Sequence, residues 1–399
     1  MKLIDTQTKN NVLTSMMTII DGRREDIIDA NKKDLDAFDR DDQALYDRLV
    51  VDDLKVDGMI QAIKEVKEQD DPVGNTISKT TLDSGLEIVN KTDPFGTILI
   101  IYESRPDVTI EAAVLAFKAN NKILLKGGKE AVNSNIMLES CWHDALEENG
   151  LSKDWIKLMH INRKETQEFL RNPTEKLDLI VPRGGERLIN FVKTHAICAV
   201  LISGRGNNFL YVSEKADWDK TLKVIINAKT DKISGCNALD KVLINSNLPE
   251  FESKIVELAN VLSSHKVEIL TAGKVSEILI DKTKIESEDT WYEEFLALKI
   301  VLASVDNFDD AVNKINKYSG KHSSVIMTED TDEAARFMEQ IDSAAVYHNA
   351  SSRFTDGGQM GVGAELAIST DKLHHRGPLG LKQLVTNKYY VFGDGHVRV

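Results

Sequence analysis

Cysteine is scarce in this chain: three residues in 399, at positions 141, 198 and 236, with no C-x-x-C spacing. That excludes a disulfide framework and a structural zinc site, and no metal is expected. A basic surplus is also missing. The formal charge is -14 at pH 7, so neither nucleic acid nor an anionic membrane surface is expected as the main partner. A local cationic pocket for a phosphorylated ligand stays compatible with that balance. No apolar run approaches the roughly 20 residues that a spanning helix needs. The start, MKLIDTQTKNNVLTSMM, lacks the apolar stretch and cleavage site of a secretory signal. Internal repeats, low-complexity tracts, a Walker motif and a G-x-G-x-x-G fingerprint are absent as well. A soluble, reduced, cytoplasmic protein is the expectation.

What is present is enough apolar residue, 42% of the chain, for two or three domains. The first 70 or so residues read as helices, with Val56, Met59, Ile60, Ile63 and Val66 on one face. Thr76 to Asp93 alternates around Asp83-Ser84-Gly85 and reads as a hairpin. From Thr97 the pattern becomes strand, turn, helix. Strands are expected at 97–102, 122–126, 155–161, 177–181 and 196–202. Helices are expected at 106–119 and 130–148. A second series follows at 241–245, 267–270, 298–305, 324–327 and 344–347. Apolar strands alternating with amphipathic helices predict an α/β fold with mainly parallel sheets covered on both faces. The glycine-rich stretch 350–380 shows no period and reads as a site or interface segment. The strand-like 389–392 is suited to pairing with the early hairpin or with another subunit.

Cys236 sits in Ser234-Gly235-Cys236-Asn237, between a helix at about 218–229 and a strand. A substrate can reach a thiol on such a turn, and the thiolate is the reactive form. Cys198 reads as a small core residue and Cys141 as a helical residue with nothing reactive near it in sequence. Four other segments carry polar chemistry. In YESRPDVT, a strand ends and Pro106 opens a helix, leaving Ser104 and Arg105 at a helix start that favours anions; the alternative is an ordinary turn with a solvated arginine. In LLKGGKEA, Lys126, Gly127, Gly128 and Lys129 leave a buried strand before a helix, where α/β sheets bind nucleotides. VPRGGERLI repeats that geometry with Arg183, Gly184 and Gly185, and two such turns on one sheet point to a dinucleotide. RFTDGGQMG through LHHRGPLGL supplies Arg353 and Arg376. Its adjacent histidines, His374 and His375, do not share a helix face and read as a solvated pair.

These segments, with SGRGNNFLYV and SGCNAL, occur in the order and wording of the γ-glutamyl phosphate reductases, a branch of the aldehyde dehydrogenase superfamily. The chain resembles that family from about Ile28 to Arg398. It departs at Asp107, where the family often has asparagine, and at Asn208-Phe209, where Cys-His is more frequent. The resemblance implies an aldehyde dehydrogenase-like fold with two parallel-sheet domains. Residues 1–75, 94–215 and 350–381 would form a Rossmann-like cofactor domain, and 216–349 a catalytic domain carrying Cys236. Residues 76–93 and 382–399 would form a small β oligomerisation element.

The implied reaction is NADPH-dependent reduction of γ-glutamyl phosphate to glutamate 5-semialdehyde and phosphate through a Cys236 thioester, the second step from glutamate to proline. Cys236 and Ser104 take the catalytic roles, Ser104 with the Cys236 amide as oxyanion donors. Arg105, Asn237, Arg353 and Arg376 are the substrate-binding candidates. For NADP(H), Lys126 would contact the adenosine ribose, Lys129 and Arg183 a 2′-phosphate, and Glu294 the nicotinamide ribose, with Gly127, Gly128, Gly184 and Gly185 in the turns. A homo-oligomer and a transient complex with glutamate 5-kinase, a separate chain, are the expected partners. Other readings are an enzyme of this fold acting on a different acyl donor or aldehyde, or an inactive scaffold for the kinase.

Hydrolytic members of the superfamily carry a glutamate base in Glu-Leu-Gly-Gly. The matching segment here is Leu201-Ile202-Ser203-Gly204, and Ile202 stands at the base position. Isoleucine takes no proton, and general-base assistance is worth about 10² to 10⁴-fold. Oxidation of the semialdehyde is therefore expected to require phosphate, with arsenate able to replace it. Steady NADP reduction in phosphate-free buffer, with glutamate as product, would contradict this.

Overall fold

The computed structural model describes residues 2–38 and 43–398, so the ends and residues 39–42 of the expected first and last segments lie outside it. The chain divides into two units: Met1–Ile202 with Gly361–Ala367 and Leu379–Val399, and Ser203–Met360 with Ile368–Pro378. No helix among the described residues is long and apolar enough to cross a membrane.

The first unit begins with the helices Thr6–Gly22, Arg24–Asp36, Gln43–Leu49 and Asp53–Glu68. Asp52 caps the last of these by accepting from the Lys55 amide at 2.9 Å, satisfying an orphan donor of the first turn. Val56, Met59, Ile63 and Val66 form its buried face, as their spacing predicts. The sheet orders its strands Ile156–Leu158, Lys122–Lys126, Thr97–Tyr102, Leu179–Arg183 and Ala199–Val200, all parallel. In Thr97–Tyr102 the side chains alternate. Ile98 and Ile100 join one apolar cluster with the helices, while Leu99 and Ile101 join another with Leu124, Ile180 and Val192. Burial on both faces explains why its sequence is an unbroken apolar run rather than an alternating one. Numbered by appearance, the order is 3-2-1-4-5, so the direction of winding reverses between Thr97–Tyr102 and Leu179–Arg183. The crevice at the carboxyl ends of such a pair is where open α/β sheets bind ligands.

In the second unit seven strands form one parallel sheet: Thr283–Lys284, Glu268–Ala272, Lys299–Val305, Leu239–Asn245, Asn208–Val212, Ser323–Met327 and Ala345–His348. A third, antiparallel sheet joins Thr76–Thr81, Glu87–Pro94 and Val385–Phe392. The carboxyl-terminal strand thus pairs with the hairpin and is longer than 389–392.

Several expectations are corrected. The unit boundary falls at 202/203, not 215/216, because Asn208–Val212 pairs with Leu239–Asn245 and Ser323–Met327. The segment 350–381 is shared between the units rather than belonging to one. It holds the short paired strands Ala367–Ser369 and Gly377–Leu379. The strands expected at 155–161 and 196–202 shrink to Ile156–Leu158 and Ala199–Val200. Cys198 is half-buried at a cluster edge, not in the core.

One buried ion pair ties the helix Trp218–Thr230 to the strand Leu239–Asn245: Lys229 Nζ lies 3.0 Å from Asp240 Oδ1, with both side chains almost fully enclosed. Burial pushes the lysine down and the aspartic acid up, and each partner opposes the other's shift. A buried pair is weak evidence of net stability, but breaking one leaves an uncompensated charge at about 3–5 kcal/mol. Asp240→Ala should therefore lower the unfolding midpoint sharply, and the double variant Lys229→Met, Asp240→Leu should recover most of the loss. Equal midpoints for the single and double variants would contradict this.

Candidate active site

Cys236 lies on the turn entering strand Leu239–Asn245, at the amino edge of the second unit's sheet, and is partly exposed. Its backbone is gripped from two sides. Asn208 opens its own strand fully buried. Its Nδ2 donates to the carbonyls of Cys236 at 2.8 Å and Ala238 at 2.7 Å, and its Oδ1 accepts from the Ser323 amide at 3.0 Å. On the other side the Ser352 hydroxyl donates to the Asn237 carbonyl at 2.7 Å. Gly206 lies against the same turn: a Cβ there would stand 2.1 Å from the Cys236 carbonyl oxygen, so no larger residue fits.

Asn237, a substrate-binding candidate, also holds the protein. Its Nδ2 donates to the carbonyls of Arg353 at 3.2 Å and Thr355 at 2.9 Å, which uses both amide hydrogens. Arg353 does reach the turn. Its Nε donates to Asp231 at 3.1 Å, and Nη1 lies 2.9 Å from where a Cβ on Gly235 would stand. Arg376 does not: it donates to Asp342 at 2.7 Å, beside Lys321 and Lys372. These hydrogen bonds hold the Asp342 carboxyl well below the usual carboxylate range. Arg376 is thus paired with Asp342, a pairing that sequence spacing gives no means of seeing.

Glu294 is connected to the turn through Gly206, whose amide donates to its carboxylate. Burial, with nearby Asp240 adding to it, pushes the Glu294 carboxyl up to about 7. Asp240, already paired with Lys229, accepts from the Phe295 amide at 3.1 Å through its second oxygen and so fixes the Glu294 segment. Lys241, fully enclosed, donates to the Glu293 carbonyl and lies 4.0 Å from the Phe295 ring centre. Burial drives it down to about 8. Asn208, Gly206 and Asp240 were not legible as site residues, because each acts across more than 25 residues of sequence.

In the first unit the expected turns meet at the carboxyl edge of the sheet, where Ile101 pairs with Lys126 and Tyr102 with Arg183. Ser104 donates to Glu130 at 2.9 Å, so its hydroxyl hydrogen is engaged. Lys126 folds back onto the Gly127 carbonyl at 2.6 Å, its ammonium lowered by burial, while Lys129 is exposed. Arg183 does not point out over its glycines. Its Nη1 is buried, lacks a hydrogen bond, and stands 3.9 Å from Glu111. Arg105 acts on the same carboxyl, and its Nε is likewise buried without a partner. Glu103, overlooked in the sequence, accepts from the Gly185 amide at 3.1 Å, and a Cβ on Gly184 would come within 2.7 Å of it. The Gly185 amide stands at the start of the helix Glu186–His195, a position that favours an anionic oxygen, and here the Glu103 carboxylate fills it.

The Aldehyde dehydrogenase family model matches residues 1–271. A gamma-glutamyl phosphate reductase of Thermotoga maritima is 43% identical over 397 residues, spanning 98% of this chain and 94% of that protein. One from Dictyoglomus thermophilum is 38% identical over 400 residues, spanning 100% and 96%. The chain belongs to the gamma-glutamyl phosphate reductases of the aldehyde dehydrogenase family. The crystal structure of the Thermotoga maritima protein superimposes with a TM-score of 0.94 at 41% identity over 99% of this chain and 95% of that one. An acetylating aldehyde dehydrogenase from Geobacillus thermoglucosidasius, 17% identical, shares the fold with a TM-score of 0.68 over 99% and 94%. Against the family pattern, the charge introduced at Asp107 is matched by Lys55 at 2.8 Å. Phe209 is buried and stacked on Trp291, with ring centres 6.4 Å apart.

The Glu294 shift sets a pH signature. The folded carboxyl holds its proton up to about 7, against an ordinary 4.5. Its raised pKa costs nothing at or below the unfolded value and destabilises progressively as pH rises from about 4.5 to about 7. Glu294→Gln keeps an acceptor for the Gly206 amide without the charge. The melting temperature of this variant relative to the parent should rise across that window and level off above it. A difference that is flat from pH 4.5 to 8 would contradict the assignment.

Proposed function

We propose that this chain reduces γ-glutamyl phosphate to glutamate 5-semialdehyde and inorganic phosphate, with NADPH preferred over NADH and Cys236 as nucleophile. The full-length kinship with enzymes named for that reaction supports the reading. The observation that carries it is a partly exposed thiol on a turn whose backbone carbonyls are fixed from both sides.

The Cys236 thiolate attacks the acyl carbon, the carbon–oxygen bond to phosphate breaks, and phosphate leaves with the electron pair, giving a thioester. The residues of the turns at 127–128 and 184–185 would hold the nicotinamide cofactor, which would supply the hydride that reduces the thioester carbon. The resulting oxyanion collapses to the aldehyde and returns the thiolate. While charge is on oxygen, the Cys236 amide is a proposed donor to it. Arg353 is the proposed cation for an anionic end of the substrate, and Ser104 and Arg105 are further candidates for oxyanion donor and substrate cation. Glu294 accepts from the nicotinamide ribose hydroxyls. Lys126 meets the adenosine ribose, and Lys129 is the cation for the 2′-phosphate. Arg183, turned towards Glu111, is withdrawn from that role.

The small antiparallel sheet leaves Tyr389, Val391 and Phe392 more than half exposed. We assign it to contacts between copies of this chain. A cytoplasmic setting fits three cysteines that form no disulfide. The labile acyl phosphate is the product of a kinase acting on the side-chain carboxylate of glutamate, the class of reaction that supplies this substrate.

The direct test couples glutamate 5-kinase, ATP and glutamate to this protein and follows NADPH oxidation. Formation of semialdehyde and phosphate supports the reading, and no oxidation beyond the kinase-free control sinks it. Cys236→Ser should bind NADPH and lose turnover. Lys129→Ala should cut the NADPH/NADH preference by roughly tenfold, since a charge-assisted contact is worth about 1.5–3 kcal/mol. An unchanged ratio would place the 2′-phosphate elsewhere.

A further inference from the structure

Of the side chains around Cys236, Asn208 touches the nucleophile's own backbone and has no role in the reaction as drawn. It is fully buried, at the first residue of its strand. It is also at a register shift: Asn208 pairs with Leu239 but Phe209 with Lys241. Such bulges re-aim a side chain beside a site. Both of its amide hydrogens are used, on the carbonyls of residues 236 and 238, and its oxygen takes the Ser323 amide. With the Ser352 hydroxyl on the Asn237 carbonyl, three consecutive carbonyls, 236 to 238, each accept from a side chain.

Carbonyl and amide of one trans peptide point in opposite directions in one plane. Fixing the Cys236 carbonyl therefore also fixes the Asn237 N–H and, through it, the direction of the Cys236 Cα–Cβ bond. Removing the grip would let the peptide rotate and swing the sulfur. Gly206 leaves little room for that on its own side, with a would-be Cβ 2.5 Å from Cys236 Cα.

We propose that Asn208 is a positioning residue for the reaction: it aims the Cys236 thiol by holding the carbonyls on either side of Asn237. This rests on Cys236 as the nucleophile. The family pattern often carries cysteine at this position, and a thiol has one weak donor, so it cannot make both bonds. The two-carbonyl grip is a device of this chain's own asparagine.

Asn208→Asp conserves shape and places an acceptor oxygen against two carbonyls. Misplacing the nucleophile should lower kcat by roughly 10²-fold while KM and the Kd for NADPH stay within about twofold. Iodoacetamide labelling of Cys236 in the free protein, read by peptide mapping, should slow in parallel. Asn208→Cys, with one weak donor, should fall between parent and Asn208→Asp in both readouts, with a lowered but still cooperative melting transition. Should Asn208→Asp not fold, Asn208→Cys decides alone. Parental kcat and labelling rates in the folded variants overturn the proposal, as does a kcat loss matched by an equal loss of NADPH binding. Turnover by Cys236→Ser would instead overturn the nucleophile assignment. An inactive Cys236→Ser beside fully active Asn208 variants would overturn only the positioning role.

Discussion

A thiol on a turn is a useful nucleophile only if the turn cannot relax away from the substrate, and here that constraint is met by hydrogen bonds to backbone carbonyls. Asn208 from one strand and Ser352 from the glycine-rich segment hold residues 236 to 238. Asn237 returns the favour by holding the carbonyls of 353 and 355. The strands starting at Asn208 and Ser323 and the segment 352–355 are therefore tied to the turn carrying Cys236. Buried donors left without these partners would each cost about 1–3 kcal/mol, so the arrangement is enforced by desolvation as much as by attraction.

Beneath the turn, charge is concentrated where it is expensive. Lys229, Asp240, Lys241 and Glu294 are drawn out of water, and burial is the first cause of each one's shift. Asp240 links them by taking Lys229 on one oxygen and the Phe295 amide on the other. An apolar core would avoid that cost but could not fix the height of the Glu294 loop. In the first unit the same economy appears at Glu103, whose carboxylate sits on the Gly185 amide at the helix start.

The sheets were legible because period and composition report burial directly: TILIIY is a strand covered on both faces, and Val56 to Val66 a one-faced helix. The turn carrying Cys236 was legible as a turn from its residue types and their order along the chain. Boundaries were not. The strand Asn208–Val212 follows the first unit's sheet in sequence but belongs to the second, since pairing partners 30 to 120 residues away decide its sheet. The surroundings of the cations were hidden for a related reason. Arg376 and Arg183 have the composition of anion-binding residues, and the carboxylates nearest them, Asp342 and Glu111, are distant in sequence. Asn208 is a departure from the family pattern in sequence, and its use lies in the carbonyls it faces, 28 and 30 residues away.

The central claim is that acyl transfer passes through the Cys236 sulfur. Semialdehyde and NADP, mixed with the protein without phosphate and then quenched, should trap the acyl group, because Ile202 offers no base to water. Peptide mass mapping should find a γ-glutamyl adduct on the peptide carrying Cys236, discharged when phosphate is restored. An adduct on another residue, or sustained turnover with no adduct at all, would contradict the account.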